Sequence, residues 1–435
     1  MNMASRRRPL GQPNEWKRGW KTVASSSTGV FFMTSFVSVT GIVMGPLVSE
    51  FGWPRSLIMS NALICSILVL LLAPAAGSLI TRLGPRRFAM FAILAAVPGL
   101  LLIALAGGNV LTWLGAWIIF GAINVGLTPL LWMTAVVSLF ERSRGLAIAL
   151  TLSGSGAAYF FCPPFAFIIV EQFGWRAVYV SLAALLLVVQ LPLVLIWFLR
   201  PGDLDQGQSA SNSGDAQAGE ATGQTMREAL RLRQFWQFAI LSVLVGMAEG
   251  ALTLHLYPIL NEGGLPAASA AWIVSLFGGA LIVGRILSGI LFDLVPPHHV
   301  LTGSIGLILI ASVFAWCFAG GPIEGVTISS ALGLGAGGIV NALAYLTPRY
   351  FGMKAYTSIF GMLMGAFSTA FGISPVVAGY LRDSTGNYAS IFGTLVAALA
   401  TALMLSLFLG SAGRLATAPS RQDAKPSISE AAQGD

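Results

Sequence analysis

The chain is 435 residues long, 56% hydrophobic and only 9% charged, a balance that excludes an ordinary soluble globular domain. Its net charge of +7 would suit a nucleic-acid partner, but the basic residues cluster on alternate connections between apolar runs, so their role is topological. Cys65, Cys162 and Cys317 sit inside or at the edge of apolar runs with no disulfide or metal-ligand spacing and are expected to be small packing residues.

Apolar runs about as long as the helix needed to cross a bilayer core lie at 23–47, 56–80, 87–107, 111–138, 146–170, 177–199, 235–259, 269–292, 299–319, 323–346, 356–381 and 389–411. They are rich in Leu, Ala, Ile and Gly and lack the alternation of an outer-membrane barrel. The predicted fold class is an all-α membrane protein with twelve transmembrane helices, spans 1 to 12. The runs divide the chain into a basic tail (1–22), a first six-helix bundle (23–199), a linker (200–234), a second bundle (235–411) and a polar tail (412–435) expected to be disordered. With the N-terminus inside, 20 of the 24 lysines and arginines are cytoplasmic, and only Arg55, Arg176 and Arg382 face outwards. That bias predicts a cytoplasmic-membrane protein with both termini in the cytoplasm.

Taken in order, the N-terminal tail has no small-residue cleavage site after a short apolar core, so span 1 is expected to be retained. Span 1 carries Thr34 and Ser38 on one face. Span 2 runs into Gly77, Leu79, Thr81, Arg82 and Gly84, followed by Pro85, Arg86 and Arg87. Glycines there allow a tight turn and close helices, and arginines at a cytoplasmic helix end meet carbonyls or acids. Gly77, Arg82, Gly84 and Arg86 are therefore candidate gate residues. Span 4 sets Asn124, Thr128 and Trp132 along one face.

The linker is Gly-, Ser-, Ala- and Gln-rich over 201–225 and is expected to be flexible. It ends in a basic amphipathic segment, Thr225 to Arg233, expected to lie on the lipid headgroups. In span 10, Asn341 and Tyr345 share a face. Gly333, Gly335 and Gly338 mimic a dinucleotide-binding pattern, but they lie in an apolar run with no strand before them and read as helix packing. No Gly-Lys dipeptide and no hydrolase motif occurs, so neither a built-in ATP motor nor an enzyme is expected, and no cofactor or metal.

Two ionisable groups stand inside apolar runs, Glu249 in span 7 and Arg285 in span 8. Each costs on the order of 2.5–3.5 kcal/mol to place mid-membrane and needs a partner. Counted at ~1.5 Å per residue from the cytoplasmic ends, Glu249 lies roughly 20 Å deep and Arg285 roughly 10 Å, close enough to pair directly or through an anion or water. Arg285 has two readings: a fork-shaped counter-ion for a carboxylate substrate, or a structural element with Gly284, Gly289 and Asp293. Glu249 reads either as a proton carrier or as a helix–helix contact. Thr253 shares its face, whereas His255 points elsewhere and suits packing.

The chain also repeats itself. Gly77, Gly121, Gly126 and Gly174 recur 212 positions on as Gly289, Gly333, Gly338 and Gly386. Two similar membrane bundles that rock about a site between them are the architecture of a transporter.

The loop of Gly77, Leu79, Arg82, Gly84 and Arg86 resembles the signature between helices 2 and 3 of the major facilitator superfamily, with Thr81 where that family has aspartate and Pro85 where it has a basic residue. The second copy keeps Asp293 but has Pro296, Pro297, His298 and His299 in place of the basic tail. Cys162, Pro163, Pro164 and Phe165, then Phe173 to Arg176, and Pro348 to Gly352 resemble the bacterial monocarboxylate-porter and oxalate/formate-antiporter branch.

The resemblance, covering about residues 23–411, implies the major facilitator fold, with spans 1, 4, 7 and 10 lining a central path. Asn124, Trp132, Asn341, Tyr345, Thr34, Ser38 and Thr253 would then be its wall. It also implies a substrate-binding arginine in span 8, which Arg285 matches, although the aspartate of the mammalian porters one turn earlier is Leu281 here. Gly289, Asp293 and Arg349 would form the second half of the cytoplasmic gate. The expected activity is secondary transport of a small organic anion by a monomer, with a proton or counter-anion as partner and membrane lipid around it. Efflux of a hydrophobic or cationic compound, or a transporter-like sensor, are the rival readings.

Overall fold

The computed structural model describes residues 13–140, 143–198, 223–352 and 354–409. The basic tail before residue 13, most of the linker and the polar tail after 409 lie outside the described residues, as do Arg142 and Arg200. Among the described residues, twelve helices are long and apolar enough to cross a membrane: Glu15–Phe51, Arg55–Leu83, Pro85–Ala104, Val110–Leu139, Arg144–Phe173, Trp175–Trp197, Arg233–Glu262, Ala267–Phe292, Pro297–Trp316, Pro322–Phe351, Ser358–Thr385 and Ala389–Leu407. They are numbered as spans 1 to 12. The face carrying residues 13 and 409 is called the inner face.

Span 4 is not the single smooth helix expected. An α-helix ends at Asn124, a short 3₁₀ turn covers Val125–Leu127, and a second helix starts at Pro129. Pro129 has no N–H to donate and pushes the residue before it out of helical backbone, so Thr128 is extended (ψ 163°). The break turns the second half of the span's polar stripe away from the first. Span 7 likewise begins differently from the surface helix expected there. Thr225 and Glu228 close a capping box on the short helix Met226–Ala229, and Gln224 N–H donates to the Phe351 carbonyl at 2.9 Å. Ala229 is buried. The segment is thus tied to the inner end of the second bundle through Gln224 and Ala229, with Arg227 and Arg231 left exposed.

Buried apolar side chains form two large clusters, one within residues 30–198, joined by Leu254 and Ala271, and one within 229–409. The repeat is visible in the backbone. Gly52, Gly108 and Gly174 have φ of 65°, 84° and 80°, and Gly264, Gly320 and Gly386, each 212 positions on, have 112°, 89° and 77°. All six lie in the outer connections, where only glycine enters the left-handed region cheaply.

The halves meet where span 5 crosses span 8 and span 2 crosses span 11. A Cβ on Gly278 would strike the backbone of Gly156, Tyr159 and Phe160. One on Gly372 would strike Ser66, and one on Gly379 the backbone at Arg55 and Ser56. At the outer face, Arg55 pairs with Glu262 at 2.7 Å and Asp383 at 3.4 Å, and Glu262 also holds Arg382 at 2.8 Å. Among the described residues, no hydrogen bond or ion pair joins the halves nearer the inner face than Leu152 with Arg285. Gly289 and Gly361, nearer the inner ends of spans 8 and 11, face open space. Among the described residues, the ion pairs between the halves all lie at the outer face.

Candidate functional site

Span 8 lies so close to span 10 that a Cβ on Gly284 would run into the Leu334 backbone, and this contact fixes how span 8 is rotated. The next residue, Arg285, reaches across the gap between the halves. Its Nη1 donates to the Leu152 carbonyl and, at 2.9 Å, to Ser155 Oγ, both on span 5. Its Nη2 and Nε make no hydrogen bond among the described residues. A guanidinium with one nitrogen anchored and two unused is oriented, yet it can still hold a carboxylate.

Glu249 stands on span 7. Its Oε2 is buried without a hydrogen-bond partner among the described residues, and so is Thr253 Oγ1, one turn on. Glu249 and Arg285 act on each other electrostatically, but no ion pair closes between them among the described residues. The direct pairing that their depths allowed is therefore absent among the described residues. Tyr159 of span 5 stands in the field of both charges and packs edge-on against Phe277 at 5.0 Å between ring centres. An unmet buried oxygen is costly, so a proton, a water or a ligand is the natural complement of Glu249. Among the described residues no group of three His, Cys, Asp or Glu side chains is placed to hold a metal.

A family model described as Major Facilitator Superfamily matches residues 26–363. The chain belongs to the Major Facilitator Superfamily. This is a family of transporters rather than enzymes, and the twelve helices agree with its fold. Among similar proteins, bovine (Bos taurus) monocarboxylate transporter 13 is 25% identical over 87% of this chain and 86% of its own length. Human (Homo sapiens) monocarboxylate transporter 11 is 27% identical over 73% of this chain and 67% of its own. An uncharacterised MFS-type transporter of Escherichia coli, YhjX, is 23% identical over 82% and 86%.

Within this facilitator the expected wall residues scatter. Asn341 does not present its amide to the gap: Nδ2 donates to the Arg285 carbonyl at 3.1 Å and to Ser288 Oγ at 3.0 Å, which positions the arginine's backbone. Thr34 and Ser38 spend their hydroxyls on their own helix, at Val30 and Ser35 carbonyls. Asn124 and Trp132 lie inside the first bundle. Asn124 borders a small void with Phe32, Phe36 and Phe120, and the fully enclosed Trp132 donates from Nε1 to Leu127 O at 2.8 Å. Asn124 lies before the break at Thr128 and Trp132 after it, and both are turned into the bundle. Tyr345 stacks on Phe292 at 4.4 Å and accepts from Arg349 Nη2 at 2.6 Å.

The gate candidates are equally divided. Gly84 has φ 80° and needs to be glycine, whereas a Cβ on Gly77 would make only an ordinary contact with Leu130, and one on Gly289 would meet nothing. Arg86 Nη2 donates to the Leu195 carbonyl within its own half, Arg82 is exposed, and Arg349 covers the Tyr345 ring at 4.2 Å. The Asp293 side chain lies outside the described residues. His255 bridges Tyr388 OH at 3.1 Å and the Pro375 carbonyl at 2.9 Å, a packing role.

Sequence reasoning missed the contribution of span 5, namely Leu152 O, Ser155 and Tyr159, and the outer cluster of Arg55, Glu262, Arg382 and Asp383. One signal for the cluster was present: Glu262 is Glu50 plus the 212-residue repeat.

Proposed function

We propose that this facilitator moves a small organic anion, a mono- or dicarboxylate, by alternating access about the gap between its halves, with proton symport or anion exchange. The observation that carries this reading is Arg285, whose Nη2 and Nε make no hydrogen bond among the described residues at the contact of the two halves, while Nη1 is fixed to span 5. A carboxylate would take the free fork, Tyr159 and Thr253 would offer hydroxyls, and Glu249 would carry the proton. The similarity to two proteins named as monocarboxylate transporters supports the anion class. In this reading the bundles 23–199 and 235–411 rock as bodies against each other, in the cytoplasmic membrane, with both termini inside and the protein working as a monomer. Gly84, Arg86, Arg349 and Asp293 close the inner side when the halves swing.

The test is uptake of labelled pyruvate, lactate and oxalate into proteoliposomes, with and without a pH gradient, for wild type, Arg285→Ala and Glu249→Gln. Arg285→Ala is expected to lower uptake at least roughly tenfold, the loss of one charge-assisted contact. Glu249→Gln is expected to keep exchange but lose accumulation driven by the pH gradient. Uptake unchanged in both variants would reject the site. Binding of lipophilic cations that disappears only in Glu249→Gln would favour efflux.

A further inference from the structure

On the outside of the first half, spans 2, 3 and 4 leave a groove of about 350 Å³ lined only by apolar residues, among them Leu72, Ala75, Leu79, Phe88, Phe91 and Ala122. It runs from mid-depth towards the inner face, and nothing in the fold described above uses it. Leu79 and Phe91 are 44% and 63% exposed on its walls.

The charge at its inner mouth is one-sided. Leu72, Ala75 and Leu79 follow a helical stripe whose next turn brings Arg82, three residues on. On span 3, Arg87 precedes Phe91 by four residues and continues that wall in the same way. Both arginines are exposed. Arg86 between them is directed to the Leu195 carbonyl. No acid occurs between residues 77 and 91, and Thr81 turns its hydroxyl back to the Gly77 carbonyl at 3.0 Å. An apolar channel whose walls continue into two exposed guanidinium groups, neither paired with a carboxylate among the described residues, matches an amphiphile with an apolar chain and an anionic head.

We propose that this groove is a binding site for one anionic glycerophospholipid of the inner leaflet, its acyl chain between spans 2, 3 and 4 and its phosphate on Arg82 and Arg87. The site is separate from the Arg285 gap and does not depend on what is transported. A chain seated there fills the outer side of span 2, the span that meets span 11 across the halves.

The experiment is native mass spectrometry of the full-length purified protein with dioleoylphosphatidylglycerol or dioleoylphosphatidylcholine at equal concentration. Wild type is expected to retain one phosphatidylglycerol at least roughly tenfold better than phosphatidylcholine, as two interfacial arginines would give. Arg82→Ala with Arg87→Ala should bring retention down to the phosphatidylcholine level. Ala75→Phe, at an exposed position where folding is not at stake, should block the chain and lower retention with both arginines intact. Excess inorganic phosphate should displace nothing. Equal retention of the two lipids would mean ordinary annular lipid and overturn the proposal. So would retention unchanged in the double variant or in Ala75→Phe, or displacement by phosphate, which would indicate a free-anion site. The thermal unfolding midpoint of each variant checks that it is folded.

Discussion

Glu50 and Glu262 occupy the same place in the two copies of the repeat, at the outer ends of spans 1 and 7, and they do different work. Glu50 is satisfied within its own half, accepting from Trp175 Nε1 at 2.7 Å and pairing with Arg176 at 2.8 Å. The residue 212 positions after Arg176 is Tyr388, so Glu262 has no cation at the matching place. It takes Arg382 from span 11 instead, and Arg55 from the other half. The acid that is paired internally in one half is bonded across the halves in the other. Deeper in the membrane the halves differ again: Glu249 and Arg285 correspond to Val37 and Ala73. The first half answers with neutral groups, the Leu152 carbonyl and Ser155 hydroxyl that receive Arg285. Charge chemistry sits in the second half, and the first half positions it.

The strongest way to break this comparison is at the crossing beneath the site. Gly278 of span 8 faces Phe160 of span 5, and at the equivalent crossing Ser66 of span 2 faces Gly372 of span 11. The small glycine has changed sides, so the two crossings are alike in spacing but not in which half yields. Gly278→Leu is expected to force the halves apart and abolish uptake, with an overpacking cost of about 1–3 kcal/mol. Gly303→Leu, in open space on span 9, should leave uptake and the unfolding midpoint near wild type. Near-normal transport by Gly278→Leu would show that the crossing is not tight.

A smaller effect is expected at the outer acids. Glu262→Gln releases two cations that hold the outer face shut, whereas Glu50→Gln releases none that cross. These pairs are partly exposed, so the loss is about 1 kcal/mol, roughly a fivefold shift towards outward-open molecules. Spin labels at Ser49 and Ser384, both exposed at the outer face, would read that shift as a longer distance. An equal shift in both variants would erase the distinction between the halves.

The smallest contrast lies where each half begins. The first half opens with an unbroken helix from Pro13, while the second enters through the capped turn Met226–Ala229. The Glu228 carboxylate accepts from the Thr225 backbone N–H and, with its hydroxyl, is held below the usual carboxylate range. Because the folded value is the depressed one, the cap contributes above the ordinary carboxylate range and is lost as pH falls through Glu228's own value. Amide-exchange protection at residues 226–229, corrected for the intrinsic pH dependence of exchange, should therefore fall in wild type as pH drops below the ordinary carboxylate range and stay unchanged in Glu228→Gln. Exchange with the same pH response in both would remove Glu228 from the cap.

How much of the site was legible follows from the physics of each residue. A charge in an apolar run announces itself by its cost, and Glu249 and Arg285 were found that way. Ser155 and Tyr159 gave no such signal, because a hydroxyl in a membrane helix can return its bond to its own backbone at little cost, as Thr34 and Ser38 do. Trp132 and Asn124 looked costly enough to face a cavity, yet each is accommodated inside the first bundle. The stripe containing them assumed an unbroken span 4, and Pro129 interrupts it.

The sequence by itself determined the twelve spans, the duplication and the family, because hydropathy, positive-φ glycines and the loop after span 2 are local properties of the chain. Only the tertiary structure decided which face of each span looks into the gap. In lipid a helix is apolar on its outer as well as its inner side, so no stripe of polarity fixes its rotation. That rotation is set by close backbone contacts such as Gly284 on Leu334 and Gly278 on Gly156, and with it the partners of Arg285.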